Sequence, residues 1–448
     1  MVLSASQIEP LKKDVRFFAR ASVMWATAAC ALLMGACGPA EADAEDGIPV
    51  GVLLPFTGTE AALGRNLEQA LLLAVKDVND AGGVGGQKLR LVTRDSNSGS
   101  QRGLDQLLQL LYADKVQYLI GPEETDLANA IVPDVKALNI LDILPAYAAP
   151  AIEHPGNRGA WLRLAPSTDA LSCAMAKQVV LEGAHTVNVL TTIDDYNSSL
   201  TSDFISQFGS AGGISLPTVS APSGATSYAK QVDQVIGYGA DVTLLMAPPE
   251  SASIIATEWT IDGRRGAWYL SPLLRAEVFL ANIPFGTLNG AHGLSPSSNL
   301  ESECTPADGD ELHCTNSNAH AFAAHFADHW QGDRPFNAAA YYYDALVLLA
   351  LGLNKGLAEQ GELPSVQELH DDIRTFGDAD AQPVRWNNLR EPLTEIRLGT
   401  PLRYVGAATE YEFDRYGAAH HSVFDHWEVH NDGFVGTGTF EAVCPHTF

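Results

Sequence analysis

The chain has 448 residues, of which 46% are hydrophobic and 18% charged, which excludes wholesale disorder and leaves room for two or more domains. Its formal net charge of -27 excludes nucleic acid and acidic membrane surfaces as partners held by charge.

The amino terminus reads as an export signal. Lys12, Lys13, Arg16 and Arg20 form a positive region, and residues 21–34 are apolar and uncharged, short of a membrane span. Leu33-Met34-Gly35-Ala36-Cys37 resembles the lipobox of bacterial lipoproteins. That resemblance implies cleavage before Cys37, with lipid on its sulfur and on the new amino terminus. Losing four basic and two acidic residues with the leader leaves 23 basic against 52 acidic, a net of -29. Residues 39–47 (PAEADAEDG) are acidic and short and read as a tether.

From residue 48 the pattern alternates. Residues 48–55 form an apolar run, as for a strand buried on both faces of a parallel sheet. A helix follows, with Leu67, Ala70, Leu71, Ala74, Val75 and Val78 at a 3.6-residue period, and it stops at Gly82-Gly83. Strands are predicted at 88–94, 116–120 and 140–144, with helices around Leu104–Leu111 and at 127–138. This order implies right-handed crossovers and a sheet that takes ligands beyond its strands' carboxyl ends. Those ends are Phe56-Thr57-Gly58, Asp95 to Ser98, Glu123-Glu124-Thr125 and Ala146-Tyr147-Ala148.

Residues 161–166 are expected to cross rather than to join the sheet. A second alternating unit then runs through helices at 168–182, 198–208, 228–238 and 250–259, with strands at 186–191, 214–218, 241–246 and 267–270. Residues 291–297 are expected to cross back. Helices are predicted at 319–331, 338–356 and 365–376, and terminal strands at 402–413 and 422–435. Cys304 and Cys314 flank a polar acidic loop and are expected to form a local disulfide outside the cytoplasm. For Cys173 a buried free thiol is favoured slightly over pairing with Cys444.

The ordered set of motifs resembles the type I periplasmic binding proteins, the leucine/isoleucine/valine-binding branch of ABC-transporter substrate-binding proteins. It comprises Val50-Gly51-Val52-Leu53-Leu54-Pro55 with Thr57-Gly58, Gly64, Asn79-Asp80-Ala81-Gly82-Gly83 through Gly86, and Ile120-Gly121-Pro122. It continues with Pro145-Ala146, Asp194-Asp195-Tyr196, Tyr341-Tyr342-Tyr343-Asp344-Ala345 and Phe413-Asp414 with Gly417. The resemblance implies an α/β fold of two Rossmann-like lobes with helix-flanked parallel sheets, joined by three hinge crossings. It places lobe 1 at 48–163 plus 298–405 and lobe 2 at 164–297 plus 406–448, behind a leader at 1–36 and a tether at 37–47.

The same resemblance implies the site. Thr125 falls where a hydroxyl meets a ligand carboxylate, with Glu124 beside it. Ala146 matches a backbone contact, Tyr147 follows it, and Ala148 stands where a threonine is expected. Tyr196 matches a cleft tyrosine, Pro248 replaces another, and Leu63 replaces an aromatic. Leu273 falls at the acidic partner of an α-ammonium, unless the alignment slips onto Glu277. An ammonium buried without a partner costs on the order of several kcal/mol. A plain α-amino acid is therefore disfavoured unless Glu123, Glu124 or Glu277 supplies the charge. The implied partners are a small-molecule ligand, an ABC permease and a membrane reached through the lipid, with no nucleic acid and a monomeric chain.

Enzyme chemistry has little support. There is no G-x-S-x-G elbow and no P-loop, and the glycines at 82–86 follow a helix rather than a strand, the reverse of a dinucleotide fingerprint. Asp95, Asp194 and Asp195 at strand ends read as caps and turn formers before acid–base groups. His325 and His329 are spaced i, i+4, with Asp328 beside them, but no third metal ligand is fixed by spacing. No catalytic residue, metal or cofactor is expected.

Overall fold

A computed structural model describes residues 47–58, 60–98, 100–145, 159–261, 267–296, 304–306, 312–314, 317–336, 338–378, 380–414, 417–420 and 423–442. The leader, Cys37, Ala146, Tyr147, Ala148 and Cys444 lie outside them.

The first sheet begins with β1 (Ile48–Leu54), followed by α1 (Ala61–Asp80), β2 (Leu89–Asp95) and α2 (Ser100–Leu108). After β3 (Tyr118–Ile120), the predicted single helix is two, α3 (Thr125–Ala130) and α4 (Val132–Leu138). Pro133 in the first turn of α4 lacks the N–H that would continue one helix through it. Next come β4 (Leu141–Leu144) and β5 (Trp161–Arg163). The order is β2-β1-β3-β4-β5, all parallel. Trp161 to Arg163 is thus an edge strand in register with Asp142 to Leu144, contrary to the expected free crossing.

The second sheet follows α5 (Thr168–Leu181). It takes β6 (Thr186–Ile193), α6 (Asp195–Ser210), β7 (Ile214–Ser215), β8 (Val219–Pro222), α7 (Ala229–Tyr238) and β9 (Val242–Met246). It continues with α8 (Pro249–Ile261), β10 (Ala267–Leu270), α9 (Glu277–Ala281) and β11 (His292–Pro296). The last of these is a sheet strand flanked by β10 and a later antiparallel strand, where the sequence suggested only a crossing. The short β12 (Cys304–Pro306) and β13 (Leu312–Cys314) pair with Cys304 opposite Cys314. Cys173 on α5 is disulfide-bonded, which corrects the free-thiol reading.

The chain then adds α10 (Ser317–His329), α11 (Ala339–Gln360), α12 (Val366–Arg374), β14 (Gln382–Arg385), α13 (Arg390–Glu395) and β15 (Leu402–Val405). After β16 (Glu412–Phe413) and β17 (Ala419–His420) it ends in a hairpin, β18 (Val423–His430) and β19 (Gly433–Glu441). A single strand over 422–435 was expected. Instead Asn431 and Asp432, both at positive φ, turn the chain back on itself. The hairpin completes the second sheet in the order β19-β18-β11-β10-β9-β6-β7, with β8 also paired to β6.

Both sheets are covered on both faces, so their central strands read as mostly apolar runs. In the first, Val50, Val52 and Leu54 pack with α1 and α11, while Leu53 and Leu119 pack with α2 to α4. In the second, Leu244, Met246 and Tyr269 face α5 and α6, while Leu245, Trp268 and Leu270 face α7 and α8.

Polar groups buried in lobe 1 are mostly satisfied. Asn354 on α11 donates to the Gly83 carbonyl (3.1 Å) and accepts from the Gly85 N–H (3.0 Å) and Arg397 (3.0 Å). At Gly83, with φ +64°, a Cβ would lie 2.1 Å from the Gln87 carbonyl. The glycine run is therefore a structural turn. Asp344, fully buried on the same helix, accepts from the Tyr404 hydroxyl and Ala407 N–H (both 2.7 Å) and from the Ala408 N–H and Tyr411 hydroxyl (both 2.8 Å).

Candidate functional site

The carboxyl ends of β1, β2 and β3 converge on one rim. Asp95 ties two of them together, accepting from the N–H groups of Phe56 (2.9 Å), Thr57 (3.1 Å) and Asn97 (2.8 Å) and from the Thr57 hydroxyl (2.6 Å). Burial pushes its carboxyl up, but bonds from Thr57, Asn97 and Phe56 outweigh that and hold it below the usual carboxylate range. Asp95 is thus a loop staple, as expected of an aspartate after a strand. At Gly121, with φ +93°, a Cβ would meet the Leu53 carbonyl at 2.8 Å, so a glycine turns the chain from β3 into Glu123-Glu124.

Three carboxyls gather there. Glu124, half-buried at the amino end of α3, accepts from the Ser96 hydroxyl through Oε1, while its buried Oε2 has no hydrogen-bond partner. Glu123, half-buried, accepts from the Tyr342 hydroxyl. Burial, then the charges of Glu60 and Glu124, raise Glu123 to about 8 against the pull of Tyr342. Glu60, at the amino end of α1, rises to about 7 through burial and then the charges of Glu124 and Glu250. Glu250 lies on α8 of lobe 2, so its field reaches Glu60 from the other lobe. Among the described residues, none of the causes acting on these three groups is a basic side chain.

The facing rim comes from the second sheet. Asp194 caps α6 by accepting from the Asn197 N–H at 2.8 Å, and the Thr192 hydroxyl donates to it at 2.7 Å. Tyr196 follows and is buried. The Pro248 carbonyl opens α8 by accepting from the Ala252 N–H at 2.9 Å. The lobes meet where Asn129 donates to Asp195 at 3.1 Å. Burial, then the charges of Asp195 and Asp194, raise the Asp126 carboxyl beside it.

The expected site residues distribute as follows. Glu124 and the buried Thr125 sit at the rim of lobe 1, and Tyr196 and Pro248 at strand ends of lobe 2. Leu63 packs on the lobe 1 core from the first turn of α1. Leu273 lies in a turn after β10 and packs on the lobe 2 core. Glu277 is the first residue of α9. Sequence reading missed Glu60, whose only signal is its place at the start of the helix that follows β1. His325 and His329 do not act as a pair. His325 contacts Asp77 at 2.7 Å beside a cavity of about 390 Å³, and His329 stands edge-on to Trp330.

Among the described residues no helix is long and apolar enough to cross a membrane. The chain is 29% identical over 107 residues to Leu/Ile/Val-binding protein homolog 1 of Brucella abortus, covering 24% of this chain and 29% of that protein. It is 24% identical over 219 residues to the chemotactic signal transduction system substrate-binding protein BasB of Halobacterium salinarum, covering 47% of this chain and 52% of that one. In fold it is similar to the leucine binding protein LivK of Thermotoga maritima, with a TM-score of 0.71, 18% identity, and coverage of 88% of this chain and 99% of that one. It is equally similar to a solute binding protein of an ABC transporter from R. palustris solved with benzoate, with a TM-score of 0.70, 18% identity, and coverage of 90% and 99%. These relatives and neighbours are binding proteins, not enzymes. The family model described as periplasmic binding protein matches residues 47–386, and the chain belongs to that family.

Proposed function

We propose that this protein captures a small organic solute bearing a cationic or hydrogen-bond-donating group between its two lobes and presents it to an ABC importer. The lobes are 48–163 plus 298–405 and 164–297 plus 406–448. In support, the strands of the first sheet end at Arg163 and those of the second lie at 186–296 and 423–441. Exported and cleaved before Cys37, the monomer is held on the membrane by lipid there, with residues 37–47 as its tether. A diacyl anchor of this kind leaves the lobes in the aqueous phase.

The observation that carries the ligand class is the carboxyl cluster of Glu60, Glu123 and Glu124, with the buried Oε2 of Glu124 lacking a donor. A buried acceptor without a partner costs about 1–3 kcal/mol, which a ligand N–H recovers. Thr125 and Tyr196 add polar contacts from either lobe, and Pro248 adds a backbone edge; the family resemblance assigns Ala146, Tyr147 and Ala148, outside the described residues, to the same site. Leu63 and Leu273 supply its apolar edges. A plain α-amino acid fits less well, because the acidic groups sit beside Thr125, where its carboxylate would go.

Calorimetry against a panel of amines, betaines, amides, amino acids and aromatic acids tests this. A cationic group displaces the protons held by Glu60 and Glu123, so binding releases protons near neutral pH and tightens as pH rises from about 6 to 8. Heats measured in two buffers of different ionisation enthalpy give the sign. Proton uptake with a carboxylate as the tight ligand overturns the proposed ligand class.

A second reading is a sensory receptor with the same lobes and no permease. It is favoured by the similarity to BasB, whose matched stretch covers 47% of this chain. Association of the ligand-loaded protein with a kinase-linked receptor rather than a permease would select it.

A further inference from the structure

At the opposite end of the second sheet from the cleft, three metal-ligating side chains meet. Glu182 follows α5, His292 opens β11, and His426 lies on β18. Strands β11 and β18 are antiparallel, with His292 opposite Glu428 and Leu294 opposite His426. The two histidines are therefore diagonal neighbours on one face, and their rings stack with centroids 5.4 Å apart. Glu182 Oε1 lies 2.8 Å from His426 Nε2 and 3.6 Å from His292 Nδ1, and it also accepts from Gln178 at 2.9 Å. One ligand atom from each of the three residues falls within 4.8 Å of the others.

Both facing ring nitrogens are buried and neither makes an aligned hydrogen bond. The other nitrogen of His426 explains this. Between His426 and Trp427 the pairing with β19 slips, leaving Thr437 as the extra residue of a bulge. The Thr437 hydroxyl lies 2.5 Å from His426 Nδ1 and donates to the His426 carbonyl at 3.1 Å. A hydroxyl has one proton, so its oxygen accepts from Nδ1–H. In the neutral ring this puts the lone pair on Nε2, 2.8 Å from a carboxylate oxygen. That contact calls for either a second proton on the ring or a metal cation shared by the nitrogen and the carboxylate. The Tyr269 hydroxyl, buried and without a hydrogen-bond partner, lies in the field of the same carboxylate.

We propose that Glu182, His292 and His426 bind a first-row divalent cation of the zinc class, separate from the solute cleft. Two imidazoles and a carboxylate are a zinc donor set, with water as the fourth ligand. Tetrahedral bonds of about 2.1 Å place ligand atoms roughly 3.4 Å apart, a small rotamer adjustment from the present spacing. Thr437 supplies the orienting hydrogen bond that a ligating histidine needs on its second nitrogen.

Zinc alone, titrated into the EDTA-stripped chain by calorimetry and followed by thermal unfolding, tests the site. One equivalent is expected to bind and to raise the unfolding temperature. His426→Ala, His292→Ala and Glu182→Gln are each expected to weaken binding about tenfold or more, and Thr437→Val, which leaves every ligand in place, by about tenfold. His325→Ala, in the other histidine cluster, keeps the response. Absence of saturable binding by the unmodified chain overturns the proposal. So does zinc binding that survives His426→Ala and His292→Ala, or that is lost with His325→Ala.

Discussion

Asp344 and Glu123 are both acids withdrawn from water in lobe 1, and they are solved differently. Asp344 is the more deeply buried, yet its carboxyl rises only to about 6, because burial is opposed by four donors from Tyr404, Ala407, Ala408 and Tyr411. Glu123 is half-buried and rises to about 8, with one donor, Tyr342, and two acidic neighbours. Depth alone therefore does not set the charge of a buried acid. The supply of donors does, and a carboxyl left short of donors marks a place where a ligand completes the structure.

The sharpest way to break this contrast is Asp344→Ala. It orphans two N–H groups and two hydroxyls in the core, and at about 1–3 kcal/mol for each unsatisfied group the expected destabilisation is at least ~3 kcal/mol, read by urea unfolding. A loss under 1 kcal/mol would show that the donors are satisfied otherwise. Glu124→Gln should instead leave the unfolding temperature nearly unchanged while weakening the solute by about tenfold or more, because its Oε2 has no protein donor to lose. Equal damage to stability and affinity would make Glu124 a structural group.

The contrast can also be sharpened through the pH dependence. The Glu123 carboxyl is raised in the fold, so the native state holds more protons than the unfolded chain between about 4.5 and 8. Its contribution is complete below the unfolded value and is lost as pH rises towards about 8. Ligand-free stability should fall across that window, and Glu123→Gln should flatten the slope. A wild-type curve that climbs through the same range contradicts the assignment.

Much of the fold was legible because the central strands β1, β3 and β9 are mostly apolar runs and α1 ends at a glycine pair. The exceptions have local causes. Residues 161–163 are too short for a period, and their membership of the sheet rests on pairing with β4. The terminal hairpin was missed although Asn431-Asp432-Gly433 carries a turn signal, with Asn431 and Asp432 both adopting the turn's left-handed backbone. At the proposed site, Glu124 and Thr125 were singled out by their place after a strand and by the family resemblance. Glu60 was not, because its proximity to Glu124 depends on where α1 starts relative to β3. The Glu182, His292 and His426 cluster could not be read either. It joins residues more than a hundred positions apart in the chain, which no local spacing reveals.

Helix α11 turns Tyr342 to Glu123, Tyr343 to Asp77, and Asp344 to the segment from Tyr404 to Tyr411. Three successive residues thus engage three separate parts of the lobe. Deleting one residue upstream in this helix would rotate all three by about 100° and misdirect every partner together. Insertions and deletions should be tolerated after Gly361, where the helix ends in a left-handed cap, and rejected between Ala339 and Asp344.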